Sequence, residues 1–371
     1  MLRLALIAVG AVLLWLAIPT SAPGAANDFV EYWAASRLML DGGNPYDLTQ
    51  MLAIERNLGF AGKDALPMLN PPWTLPLVLP LALLPYPASQ AIWLMLNFLL
   101  LLATVELCRR VYWRWERRPL AWMLGFSFVP ALTCLAIGQI TILVLLGLVG
   151  FLYFESQQQY WLAGMSLVVA AIKPHVLWLL WPAVLLWALR RGRGSVLLAF
   201  GVTLALLTAI AWWLNPGVFQ HYWQGLQGYG VLVRSIPTIG GWLMLAMGTQ
   251  QPWVRFLPVI PGLAWFSWSW TTNKASWCWR DRVPVLVLVS LVTGLYGWYF
   301  DQVLLLPALF DAGGRVMRCS PLVRGVVVAL YAIVNLTPAV LVLLTFKGFA
   351  YTWTAPAWLA LYWGVAASKL R

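Results

Sequence analysis

Few side chains in this sequence can move a proton or hold an anion, and the first of them to stand out is Asp28. It opens the segment Asn27 to Asp47, NDFVEYWAASRLMLDGGNPYD, a polar, acidic and aromatic stretch directly after a hydrophobic run. A carboxylate where a chain leaves apolar surroundings can take a proton from a hydroxyl, so Asp28 is the leading catalytic candidate. Tyr32 beside it is a candidate substrate contact. With Glu31 three residues on, Asp28 also fits an N-cap in a capping box, a role that does not exclude catalysis.

Four more polar residues sit in apolar text: Gln139 of GQIT, Lys173 and His175 of IKPH, and Asp301 of YFDQ. Lys173 could bind an anion or reach to lipid headgroups from the end of a span. His175 could assist it or simply be satisfied at a helix end. Asp301, between YGWYF and a leucine-rich run, is hard to justify without a polar partner or a substrate. No Ser/His/Asp order, metal-spaced cluster, Walker loop or dinucleotide fingerprint is visible, so no metal is expected.

The elements that must carry these residues follow from composition. The chain has 371 residues, 62% of them hydrophobic and 10% charged, with a mean hydropathy of +0.78. Soluble domains carry about 25% charged residues, so this is an all-α polytopic membrane protein. Its apolar runs are helix-length and are not the roughly 10-residue alternations of barrel strands. The 25 Trp and 13 Tyr suit interfacial belts. A net charge of +12 raises the possibility of nucleic acid. The basic residues, however, cluster in short loops: Arg109, Arg110, Arg114, Arg117 and Arg118; Arg190, Arg191 and Arg193; Lys274, Arg280 and Arg282; Arg315, Arg318 and Arg324; and Lys369 and Arg371. That is positive-inside topology, with membrane lipids as the partner and no nucleic acid. Cys108, Cys134, Cys278 and Cys319 have no CxxC spacing and read as reduced thiols.

Residues 1–20 form an apolar run, read as a retained first span, although the following SAPGAAN has the look of a signal-peptide cleavage site. Residues 28–40 make a short interfacial helix ended by Gly42 and Gly43. The stretch 70–87, NPPWTLPLVLPLALLPYP, is apolar but broken by prolines. If both it and 88–107 crossed the bilayer, every later basic loop would fall outside. It is therefore a re-entrant or juxtamembrane piece on the outer side, tolerable only if packed against protein. Spans then follow near 120–137, 141–154, 161–172, 175–189, 194–214, 253–270, 284–300, 302–311, 325–346 and 353–368. The expected architecture is one integral membrane domain over 1–371 with about 12 transmembrane helices and both termini cytoplasmic. A first external loop covers 20–87 and a second covers 215–251, whose aromatic text around His221 could cover a site or simply pack. In this topology Asp28, Gln139, Lys173, His175 and Asp301 all reach the outer face, and ionisable residues gathered at membrane depth are usually functional.

The series DFVEYW, DGGNPYD, NPPW, PLALLP, GQI, AAIKP and YFDQVLLLP resembles glycosyltransferase family 87, the polyprenyl-phosphate-mannose-dependent mannosyltransferase-like proteins of the GT-C superfamily. The resemblance runs over about residues 25–310 with order and spacing kept. It implies a GT-C fold and an acid in the first external loop, which Asp28 matches. It also implies a polyprenyl-phosphate sugar as donor, with no cofactor, and a lipid or glycan acceptor at the extracytoplasmic face of the cell membrane. GQ stands where some other GT-C families carry a second Asp, and Asp301 stands where some members carry His. On this reading Asp28 is the general base of an inverting hexosyl transfer. Lys173, His175, Asp301, Gln139 and Tyr32 would bind substrate. The alternative is a transporter or flippase using Asp28, Lys173 and Asp301 as a relay, but inverted repeats and paired broken helices are not visible.

Overall fold

A computed structural model describes residues 28–113, 118–230, 236–346 and 348–367. The expected span 1–20 and the SAPGAAN segment lie outside these residues, as do Arg114, Arg117, Lys369 and Arg371. The described residues are helical, with no β-strand among them. In chain order the helices are α1 (Phe29–Leu40), α2 (Leu48–Asn57), α3 (Leu75–Ala82), α4 (Tyr86–Tyr112), α5 (Arg118–Ser127), α6 (Val129–Ile137), α7 (Thr141–Ser156) and α8 (Tyr160–Ala170). There follow α9 (Leu180–Arg191), α10 (Gly194–Leu214), α11 (Val218–Tyr229), α12 (Ile239–Ala246), α13 (Val259–Asn273), α14 (Trp279–Thr293), α15 (Leu306–Val316), α16 (Pro321–Leu343) and α17 (Thr354–Ala367).

Three of these, α4, α10 and α16, are long and apolar enough to cross a bilayer. In α10 and α16 only 17% of the most apolar window is buried inside the protein. Such bare aliphatic faces suit lipid. The expected span at 120–137 is instead the pair α5 and α6, bent by 63°, a fourth crossing if taken as one. The break frees the Val129 N–H and the Ser127 carbonyl, and Asn335 of α16 serves both, accepting at 2.9 Å and donating at 2.7 Å. That is how a broken helix survives at membrane depth. Several other expected spans are short or interrupted. Helices α7 and α8 are 16 and 11 residues long. The 253–270 segment starts as a 3₁₀ turn at Pro252–Phe256, and 302–311 is divided between a 3₁₀ helix, Tyr299–Leu305, and α15.

The core forms where glycines let helices close up. A Cβ on Gly147 of α7 would lie 2.4 Å from Ala170 N of α8, and one on Gly164 of α8 would lie 2.3 Å from Val196 O at the start of α10. Small residues at such crossings are the usual device for tight packing between apolar helices.

Helix α1 runs over 29–40 as expected, and Gly42, at φ +74°, turns the chain away after it. It does not lie on the protein surface, however. Phe29, Tyr32, Trp33, Ala34, Ala35 and Ser36 are all buried, and Phe29 stacks on Trp93 and Tyr86 at 5.3 and 5.9 Å. Its small residues leave room for neighbours all round, so it becomes part of the core. The 70–87 piece is a 3₁₀ turn followed by the eight-residue α3. Its loose carbonyls are taken up by protein, Leu81 O by the Ser89 hydroxyl at 2.6 Å and Leu84 O by Trp33 Nε1 at 3.2 Å.

Candidate functional site

The site is built where three chain breaks meet: the start of α1, the turn between α6 and α7, and the turn after α8. Gly138 ends α6 in the left-handed conformation, φ +67°, and its carbonyl accepts a hydrogen bond from Trp93 Nε1 at 2.7 Å. This turns Gln139 back toward α1. The carbonyls of Ala171 and Ile172, just before Lys173, are held by Trp73 Nε1 at 3.0 Å and Asn70 Nδ2 at 3.2 Å. The NPPW motif is thus a clasp that fixes the lysine's backbone. Tyr46 of the NPYD turn donates to Asn70 O at 3.1 Å, and Asp47 caps α2 by accepting from Thr49 and Gln50.

Asp28 precedes α1, and its side chain makes no capping bond. The capping-box alternative therefore does not hold. Its N–H donates to Ile137 O at 2.8 Å, and its Oδ2 accepts from Gln139 Nε2 at 2.6 Å. The carboxyl is pushed up to about 6, chiefly by burial, with Lys173 and the Gln139 amide pulling it partly back. Tyr32 donates to Gln139 Oε1 at 2.6 Å. The ring is buried and its hydroxyl also bonds the Glu31 side chain, so Tyr32 supports the centre from behind. Glu31, which the sequence suggested only as a capping partner, lies beside Asp28. Burial first, and then the Asp28 charge, raise its carboxyl well above the ordinary range.

Lys173 and Asp301 form a buried ion pair at 3.0 Å, with side chains 10% and 0% exposed. Thr141 bridges them: Lys173 Nζ donates to its Oγ1 at 2.9 Å, and its hydroxyl donates to Asp301 Oδ1 at 2.9 Å. The second carboxylate oxygen of Asp301 accepts the Trp298 N–H at 2.9 Å. Lys173 has three protons, of which Asp301 and Thr141 take two, and its ammonium stands 5.0 Å from the Phe300 ring. The third proton has no hydrogen-bond partner among the described residues.

Asp28, Gln139, Tyr32, Lys173 and Asp301 are thus brought into one centre made of two adjoining hydrogen-bonded groups, Asp28–Gln139–Tyr32 and Lys173–Thr141–Asp301, and the charges of Lys173 and Asp301 act on Asp28, although these residues are far apart in sequence. Thr141 is its undetected member. A threonine opening a helix is unremarkable in sequence, and only its position in GQIT marked it. His175 is nearby but outside the network. Its Nε2 has no partner among the described residues, and its ring lies edge-on to Tyr296 at 5.2 Å. His221 of α11 packs against Gly217. The residues that follow α10 reach the NPYD turn, where Asn215 Nδ2 donates to Gly43 O at 3.0 Å and Tyr222 meets Tyr46 at 5.2 Å. Among the described residues no group of three or more His, Cys, Asp or Glu is placed to hold a metal. A separate cavity of about 380 Å³ between α5, α15, α16 and α17 is lined by Leu120, Met123, Leu309, Val328 and Trp358. It has no carboxylate or imidazole and offers no proton chemistry.

The sequence profile of glycosyltransferase family 87 matches residues 68–298, taking in NPPW, GQI and IKP. No curated protein and no solved structure matches the chain.

Proposed function

The chain belongs to glycosyltransferase family 87, and from that premise we propose that it transfers a hexose, mannose in the first instance, from a polyprenyl-phosphate sugar to a lipid or glycan acceptor. The transfer takes place at the outer face of the cytoplasmic membrane with inversion at the anomeric carbon. One observation carries this reading. A carboxylate held by a neutral amide through one oxygen only lies close enough to a buried, paired ammonium to feel its charge.

In the proposed step the acceptor hydroxyl oxygen attacks the anomeric carbon while Asp28 takes its proton. The bond from that carbon to the phosphate oxygen breaks, and its electron pair leaves with the polyprenyl phosphate. The charge gained by the phosphate is met by the third proton of Lys173, a point cation already oriented and therefore needing little rearrangement. Asp301 pairs with Lys173 and holds it in place. Asp28 then releases its proton to water. The phosphate linkage of the donor supplies the driving force, so no nucleotide is needed. The acids and the lysine are tied into fixed hydrogen bonds, which suits a catalytic centre better than the moving relay of a transporter.

The test is transfer by the purified full chain in lipid nanodiscs, given labelled polyprenyl-phosphate mannose or glucose and a membrane lipid extract. A labelled product is expected, and Asp28→Asn should reduce its rate about 10²- to 10⁴-fold while the protein stays folded, as for loss of a general base. An Asp28→Asn protein with most of its activity, or transfer from nucleotide sugars alone, overturns the proposal.

A further inference from the structure

We infer that the turn Gly138–Gln139–Ile140–Thr141 is a two-sided clamp, in which Gln139 positions the base Asp28 and Thr141 positions the cation Lys173. The inference rests on the roles proposed above for those two residues. It reassigns Gln139 and Tyr32 from substrate contacts to positioning residues.

A glutamine amide can face either way, and here the surroundings decide. Its oxygen receives two donors, the Tyr32 hydroxyl at 2.6 Å and the Ile140 N–H at 2.9 Å. An NH₂ in that place would confront the Ile140 N–H, which can only donate. The amide nitrogen is therefore forced toward Asp28, where it donates to Oδ2 at 2.6 Å. The Asp28 backbone is tied one step earlier, to Ile137 O at 2.8 Å. One carboxylate oxygen is thereby occupied and the other is left for the acceptor proton. An amide in this role costs the base less of its proton affinity than an arginine would, because it brings no full charge.

Two residues further on, Thr141 performs the matching task. Its single hydroxyl proton goes to Asp301 Oδ1 at 2.9 Å, so a lone pair is left to accept from Lys173 Nζ at 2.9 Å. Val in its place keeps the shape and loses both bonds. Because Gln139 and Thr141 stand two residues apart on one turn, the turn fixes the spacing between the group that takes the proton and the group that receives the leaving phosphate. Near-attack geometry depends on such spacing, and small misplacements are costly.

The groups that face Asp28 are Glu31 and Tyr32 on its own helix, Gln139 and Cys134 from the α6 side, and Lys173 and Asp301. Of these, Gln139 is the neutral donor to its carboxylate. Removing that bond disfavours the charged form and moves the acid limb of the kcat/KM profile to higher pH.

The experiment compares Gln139→Met, Tyr32→Phe, Thr141→Val and Thr141→Ser with the wild type and with Asp28→Asn, in nanodiscs with labelled donor. Gln139→Met should lower kcat about 10- to 100-fold, the usual range for a lost hydrogen bond to a charged group. Its donor KM should hold and its acid limb should move up by about half a pH unit or more. Thr141→Val should raise the donor KM several-fold and leave the limb in place, with Thr141→Ser restoring it. If Gln139→Met fails to fold, Tyr32→Phe must still shift the limb in the same direction by less. Wild-type limbs in both Gln139→Met and Tyr32→Phe overturn the inference, as does a Thr141→Val enzyme with unchanged donor KM. An active Asp28→Asn enzyme instead removes the proposed base itself, so the two failures are distinguishable.

Discussion

Asp301→Asn separates what holds the site together from what does the chemistry. In the native protein Asp301 has no exposed surface. It receives the Trp298 N–H on Oδ2 at 2.9 Å, and on Oδ1 the Lys173 ammonium at 3.0 Å and the Thr141 hydroxyl at 2.9 Å. An asparagine has one acceptor and one NH₂ in place of two acceptors. Turned either way, its NH₂ meets a donor, the Trp298 N–H on one side or Lys173 and Thr141 on the other. Lys173 is left as a buried ammonium without its counter-charge, an expensive arrangement. Breaking one partner out of a buried ion pair costs about 3–5 kcal/mol. For a chain of this length that lowers the unfolding midpoint by roughly 4–6 °C. The assay is thermal unfolding in detergent followed by tryptophan fluorescence, alongside binding of a labelled polyprenyl-phosphate sugar. Asp301→Asn should lose both stability and donor binding. Lys173→Met combined with Asp301→Leu should recover much of the stability, since replacing a whole buried pair by apolar groups is often neutral, yet it should not transfer sugar. A wild-type midpoint and full donor binding in Asp301→Asn would refute the argument, and so would transfer by the double variant.

The raised carboxyl of Asp28, near 6, predicts that transfer falls away as pH drops through that value, because a protonated base cannot accept the acceptor's proton; a flat pH–rate profile between 5 and 8 contradicts it. Glu55 is wholly buried, its Oε2 accepts the Leu66 N–H at 3.1 Å, and its Oε1 has no partner. Burial raises it from 4.5 to about 7. The folded state then holds that proton more tightly than the unfolded chain, so stability declines as pH rises from about 4.5 to 7 and stays lower above it. Glu55→Gln should therefore raise the unfolding midpoint at pH 8 by a few degrees and flatten its pH dependence, and a midpoint unchanged at pH 8 counts against this. For topology, an impermeant maleimide should reach Lys63→Cys in intact cells, and should reach the exposed Cys278 only after permeabilisation; the reverse order ends the outer-side reading of residues 20–87.

The sequence by itself determined the class and much of the site. In a chain with 10% charged residues, an acid, an amide or a lysine inside apolar text stands out because it is expensive there, and expense without function is seldom tolerated. That logic marked Asp28, Gln139, Lys173 and Asp301, and the turns that carry them were also legible: Gly42 after α1, the break at the start of GQIT between the spans 120–137 and 141–154, and the prolines of 70–87. Tertiary structure alone decided who pairs with whom. Hydropathy could not show that Asp28 is held by Gln139 instead of capping its helix, that Lys173 is neutralised by Asp301 from far along the chain, or that Thr141 joins them. A hydrogen bond depends on positions in space, and the sequence separations here run from two residues to well over a hundred. The same limit explains the span count. Apolar length marks a segment as able to enter a membrane, but whether it runs straight or breaks depends on a partner for the backbone groups that a break exposes. Asn335 supplies that partner to the break between α5 and α6, and Ser89 and Trp33 supply it to the end of α3, each from a part of the chain that local pattern cannot connect to it.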